Sequence, residues 1–65
     1  MKREDLLKKL REAGCSFVRH GGNHDWYVQP ATGVQQPVPR HREINELTAR
    51  AIIRKLSAPS DSDNG

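Results

Sequence analysis

The stretch CSFVRHGGNHDWYVQPATGVQQPVP, residues 15–39, decides the fold. Gly21-Gly22 is a two-residue hairpin signal, and Pro30-Ala31-Thr32-Gly33 supplies the proline and glycine geometry of a second turn. Between them, Asn23 to Gln29 alternates His24, Trp26 and Val28 with Asp25, Tyr27 and Gln29, the period-2 pattern of a strand. Cys15 to His20, with Phe17 and Val18, forms the preceding strand, and Val34 to Val38 the following one. Pro37 and Pro39 confine the end of that last strand to a sheet edge or a bulge. Three strands joined by short turns imply an antiparallel meander.

Outward from the meander, the period changes to that of a helix. Leu6, Leu7, Leu10 and Ala13 form one apolar face over residues 2–13, and Gly14 stands where a left-handed C′ residue belongs. Downstream, Glu46 to Ser57 carries the stripe Ala49, Ile52, Ile53 and Leu56, with Leu47 at its entry. Asn45 is placed to cap this helix and Pro59 to end it. The fold class is therefore α+β, in the order α-β-β-β-α. Each helix has a single apolar stripe, so both pack on one face of a three-stranded antiparallel sheet and leave the other open. Residues 1–58 form one domain. The tail 59–65 has no apolar residue and reads as disordered.

Composition narrows the function. In 65 residues only 34% are apolar, 13 are Leu, Ile, Val or Phe, and a small core leaves stability marginal. The single Cys15 has no disulfide partner, and no Cys/His spacing matches a zinc ribbon. A bound partner protein is the expected staple. No apolar run spans a bilayer, and Met1-Lys2-Arg3 leads into a charged segment, so a soluble cytoplasmic protein without membrane attachment is expected. The formal charge is +3, but residues 1–58 hold eleven basic and six acidic side chains, a net of +5. That balance suits a polyanionic partner.

Two groups of residues carry chemistry. His20, His24 and His41 are the natural general acids or bases, and His24 stands out because it follows Gly21-Gly22-Asn23, where a ligand can approach the backbone. Arg19 and His20 lie on the adjoining strand. Pro37-Val38-Pro39 then stiffens the chain before Arg40-His41-Arg42, a phosphate clamp in which the arginine fork matches phosphate oxygens. Lys8 and Lys9 on the first helix extend the basic surface. Phe17 is expected in the core, one of Trp26 and Tyr27 inside and the other exposed, and Cys15 buried as a small apolar residue. No carboxylate or cysteine completes a metal set with the histidines, and no cofactor is implied.

The ordered set Phe17-Val18-Arg19-x-x-Gly22-Asn23-His24, Val38-Pro39-Arg40-His41 and Ala51-Ile52-Ile53-Arg54-Lys55-Leu56, behind an N-terminal helix, resembles the HicA toxins of HicAB toxin–antitoxin systems. The resemblance covers residues 1 to about 57. It implies a double-stranded-RNA-binding-domain-like fold and a ribosome-independent mRNA endoribonuclease neutralised by a HicB antitoxin, with higher-order toxin–antitoxin complexes. The catalytic histidine of the family corresponds to His24, and His41 matches its second recurrent histidine. One position departs from the pattern: many members carry Ser or Lys immediately before the catalytic histidine, where Asn23 stands here.

RNA brings its own nucleophile, the 2′-OH beside the scissile phosphate. A small chain then needs only to move protons and stabilise charge, with no metal or deep pocket. In this scheme His24 is general base or acid, Arg19 and Arg40 with the lysines stabilise the developing charge, and His41 is the complementary acid. Two other readings fit the order of elements: a non-catalytic module that recognises duplex RNA by shape, and a structural subunit whose basic face docks an acidic partner.

Overall fold

Two turns fold residues 16–39 back on themselves twice, giving a sheet in the order β1-β2-β3. The computed structural model describes residues 1–57, with α1 (Arg3–Glu12), β1 (Ser16–Gly21), β2 (His24–Gln29), β3 (Val34–Pro39) and α2 (Glu46–Lys55). The α-β-β-β-α order and the antiparallel pairing are as expected. The expectations for Pro59 and the tail 59–65 lie outside the described residues.

Register assigns the two faces of the sheet, because directly opposed residues share a side. Asp25, Tyr27 and Gln29 oppose Val38, Gln36 and Val34, while His24, Trp26 and Val28 oppose Pro39, Pro37 and Gln35. The first set faces the helices. Leu6 and Leu10 of α1, Ala49 and Ile52 of α2, and Leu56 just after it close over Val38, joined by Cys15 and Ile44. Each fully buried leucine contributes about 1.5–3 kcal/mol through the apolar area it removes from water. The second set faces away, on the side the helices leave open. β3 is an edge strand, where Pro37 and Pro39, two apart, can turn their missing N–H groups to the unpaired side.

The helix ends follow the local chemistry. Gly14 takes φ +91°, and the N–H groups of Gly14 and Cys15 donate to the carbonyls of Arg11 and Leu10. The Asn45 side-chain oxygen accepts from the N–H of Leu47 (2.8 Å) and Thr48 (3.3 Å), the N-cap its sequence position suggested. The other end of α2 meets a buried amide. Gln29 is 2% exposed, and its Nε2 donates to the carbonyls of Ala13 and Leu56, each at 2.9 Å. One side chain of β2 thereby satisfies the chain ends of both helices. Cys15 is buried beside it, its Sγ donating to the Leu56 carbonyl at 3.1 Å, and burial pushes the thiol pKa up.

Several expectations need correction. The hairpin loop is Gly22-Asn23 rather than Gly21-Gly22, because Gly21 still pairs with His24. Phe17 is 47% exposed, not core. It does lie on the helix side, opposite Tyr27, but the helices cover the β3 half of the sheet and β1 is the far edge. There Phe17 packs edge-on against Tyr27 (5.7 Å between centroids) and against His20 (4.9 Å). Trp26 and Tyr27 do not divide into one buried and one exposed ring. Both are half-buried, Tyr27 against the core and Trp26 on the open face. Leu47, in the first turn of α2, is 74% exposed and outside the buried stripe.

The Gln29 amide yields a prediction. Gln29→Leu puts an apolar side chain in the site but leaves the Ala13 carbonyl without its donor and that of Leu56 with Cys15 alone, so unfolding in urea should show a loss of about 1–3 kcal/mol. An unchanged midpoint would mean that water serves those carbonyls equally well.

Candidate functional site

His24 opens β2 directly after the Gly22-Asn23 loop and stands opposite Pro39, the last residue of β3. The residues that follow Pro39 therefore emerge beside it. Asn23, His24, Arg40 and His41 line a cleft of about 290 Å³, and all four are exposed. Residues 23 and 41 are eighteen apart in sequence, and it is the pairing of β2 with β3 that brings them together. The segment after β3 is held in place by the N-terminal residues: the Arg3 N–H donates to the Arg42 carbonyl, and the Ile44 N–H to that of Met1.

A second cluster lies next to this cleft, on the helix side of the sheet. Asp25 is 7% exposed, a carboxylate in a position otherwise suited to an apolar residue. Three donors converge on it: Arg3 Nη2 to Oδ2 at 2.6 Å, His20 Nδ1 to Oδ1 at 2.7 Å, and Arg40 Nε to Oδ1 at 2.9 Å. Arg3 Nε also donates to the Pro39 carbonyl at 2.9 Å. The hydrogen bond from His20 is the largest influence holding the Asp25 pKa below the ordinary carboxylate value. The bond and charge of Arg40 act the same way, and burial opposes them.

His20 reaches Asp25 only because β1 is irregular. Pairing slips between Phe17 and Arg19, so Val18 is an extra residue and His20 opposes Asp25. Regular alternation from the Phe17–Tyr27 pair would have set Arg19 against Asp25 and His20 against His24. The bulge also turns Arg19 to the open face, where its guanidinium lies 5.0 Å from the Trp26 ring centre. Gly21 completes that arrangement. A Cβ there would come within 2.8 Å of Trp26 Nε1 and 3.1 Å of Arg19 Nη1. The close approach expected at the glycines is made by the protein's own tryptophan.

The residues singled out from sequence thus separate into groups. His24, Arg40 and His41 share one cleft. Arg19 is on the open face with Trp26. Lys8 and Lys9 lie on α1, in a groove of mixed charge with Asp5, Glu12 and Glu46. The Asp25 cluster was missed, although its signal was present: Asp25 shares its parity with Tyr27 and Gln29, and a carboxylate on the covered face requires cations. Among the described residues, no three His, Cys, Asp or Glu side chains gather as a metal-ligand set.

A family model described as HicA toxin of bacterial toxin-antitoxin matches residues 3–57. The chain belongs to the HicA toxin family. As a HicA-family protein it is the toxin of a toxin–antitoxin system, and an antitoxin is its partner. The matched span takes in every helix and strand described above. No curated protein and no solved structure matches the chain. Among the described residues of this HicA-family chain, no helix is long and apolar enough to cross a membrane.

The lowered pKa of Asp25 fixes a sign for pH dependence. Its contribution to stability is fully present above the ordinary carboxylate value, roughly 4, and is lost as pH falls through the lower folded value. Thermal unfolding followed from pH 6 to pH 2 should fall more steeply for the parent than for Asp25→Asn. Parallel curves would show that the cluster is not coupled to folding.

Proposed function

We propose that this HicA-family chain is an endoribonuclease that cuts mRNA by using the RNA's own 2′-OH, and that His24 is its catalytic histidine. The observation that carries the reading is the shared cleft of His24, His41 and Arg40, two proton carriers and a cation within one exposed site. In the proposed step, His24 takes the proton of the 2′-OH as its oxygen bonds to phosphorus. The bond from phosphorus to the 5′-oxygen breaks, and His41 gives that oxygen a proton. The products are a 2′,3′-cyclic phosphate and a 5′-hydroxyl, so atoms and charges balance without a co-reactant.

Arg40 supplies the electrostatic part. Its Nε is held by Asp25, and among the described residues its two Nη groups have no protein partner. A guanidinium fixed at one edge can meet the extra negative charge that develops on the phosphoryl oxygens without first reorganising. Asn23 adds an amide that can donate to the same oxygens. Arg19 stands apart from this cleft. Its cation and the Trp26 ring form an exposed-side platform on which an unpaired base can stack. Lys8 and Lys9 contribute to a general basic surface. The antitoxin partner is, in this reading, of the HicB type, and it silences the enzyme by covering the cleft.

His24→Ala tests the assignment. Cleavage of purified RNA should drop by about 10²–10⁴-fold, the usual size of a general acid or base contribution. Folding should be unchanged, because His24 is exposed. Cleavage at the parent rate would remove His24 from the mechanism. A parent protein that binds RNA without cutting it would instead point to the non-catalytic RNA-binding module.

A further inference from the structure

We propose that the cleft lined by Arg3, His20, Asp25 and Arg40 is a second phosphate subsite, which holds a neighbouring phosphodiester of the RNA strand engaged at His24. The inference rests on the RNA-cleaving reading and extends it to a site on the other side of Arg40. The cleft has a volume of about 500 Å³, room for more than a phosphate group alone. Arg40 lines both clefts, so a strand running past it meets one and then the other.

The buried carboxylate does not make this an acidic site. Its oxygens already accept from Arg3, His20 and Arg40, so its acceptor capacity is turned inward. Two guanidinium charges outweigh one carboxylate, leaving the cleft at +1 with His20 neutral and +2 with it protonated. Each donor also keeps an edge free. Arg40 is bound only through Nε, Arg3 through Nε and Nη2, and His20 through Nδ1. Arg40 Nη1 and Nη2, Arg3 Nη1 and His20 Nε2 therefore have no protein partner among the described residues. The side chains of Arg40 and His20 are 43% and 73% exposed, so both remain accessible to a ligand. Asp25 acts here as a positioning residue: it sets two arginine forks and one imidazole around an opening, and their orientation is fixed before a phosphate arrives.

The test uses the full chain with His24→Ala, so that bound RNA stays intact. Binding of a labelled single strand of about ten nucleotides is followed by anisotropy across a salt series. Added to that parent, His20→Gln and Arg3→Gln should each weaken binding by about fivefold or more, and Arg3→Gln should reduce the salt slope by about 0.7. Circular dichroism reports folding. If Arg3→Gln fails to fold, His20→Gln, at an exposed side chain, decides the matter alone. Binding within about twofold of the parent with an unchanged slope overturns the subsite. So does loss of antitoxin affinity with RNA affinity kept, which would make the cleft a protein dock. A parent that shows no salt-dependent RNA binding defeats the RNA reading itself, a different failure from that of the subsite.

Discussion

A nearly buried carboxylate cannot stay charged on its own, and the end of this sheet is organised around keeping Asp25 company. Its three donors come from the first turn of α1, from β1 and from the segment after β3. Each lies in a different part of the chain, so the carboxylate fixes how α1, the hairpin and the Arg40 segment meet. A carboxylate this buried would be costly without such partners, far more so than an exposed ion pair is worth. In a chain with so small a core, this polar anchor and the Gln29 amide at the opposite end of β2 do work that apolar packing alone would do in a larger domain. β2 is held at both ends by polar side chains on its covered face.

The position of Asp25 also explains why the candidate site is where it is. His24 and Asp25 are neighbours on a strand and so project to opposite faces. Arg40 sits past the end of β3 and reaches both. His24 and the Asp25 anchor are thereby on opposite sides of the sheet, with Arg40 lining the cleft of each. In the proposed reading the substrate is a long polymer, which calls for a site at an exposed surface. A site built at the open end of a hairpin meets that requirement without a deep pocket.

Element order was legible because turn residues and alternating patterns act locally. Gly22, Gly33 and Asn45 each do the job that their chemistry suggests, and the stripe of Ala49, Ile52 and Leu56 is buried as its spacing requires. The proximity of His24 to His41 needed the β2–β3 register, which the sequence constrains only through two prolines. The bulge at Val18 was not legible: neither glycine nor proline marks it, and it decides which face receives His20. Phe17 was misplaced for a related reason. Its strand faces the helices, but hydrophobicity does not say that β1 is the edge they fail to cover. The Asp25 cluster joins residues 3, 20, 25 and 40, a convergence that exists only after folding.

In the proposed reaction the RNA, not the protein, supplies the nucleophile, so the single thiol of Cys15 can stay buried. The most direct measurement is the chemistry of the RNA ends left by the purified protein, read by mass spectrometry, with a matched strand lacking the 2′-OH at the cut position. The proposed reaction leaves 2′,3′-cyclic phosphate and 5′-hydroxyl ends, and the deoxy-substituted strand stays uncut. Ends bearing 3′-hydroxyl and 5′-phosphate, or cleavage of the deoxy-substituted strand, would contradict it.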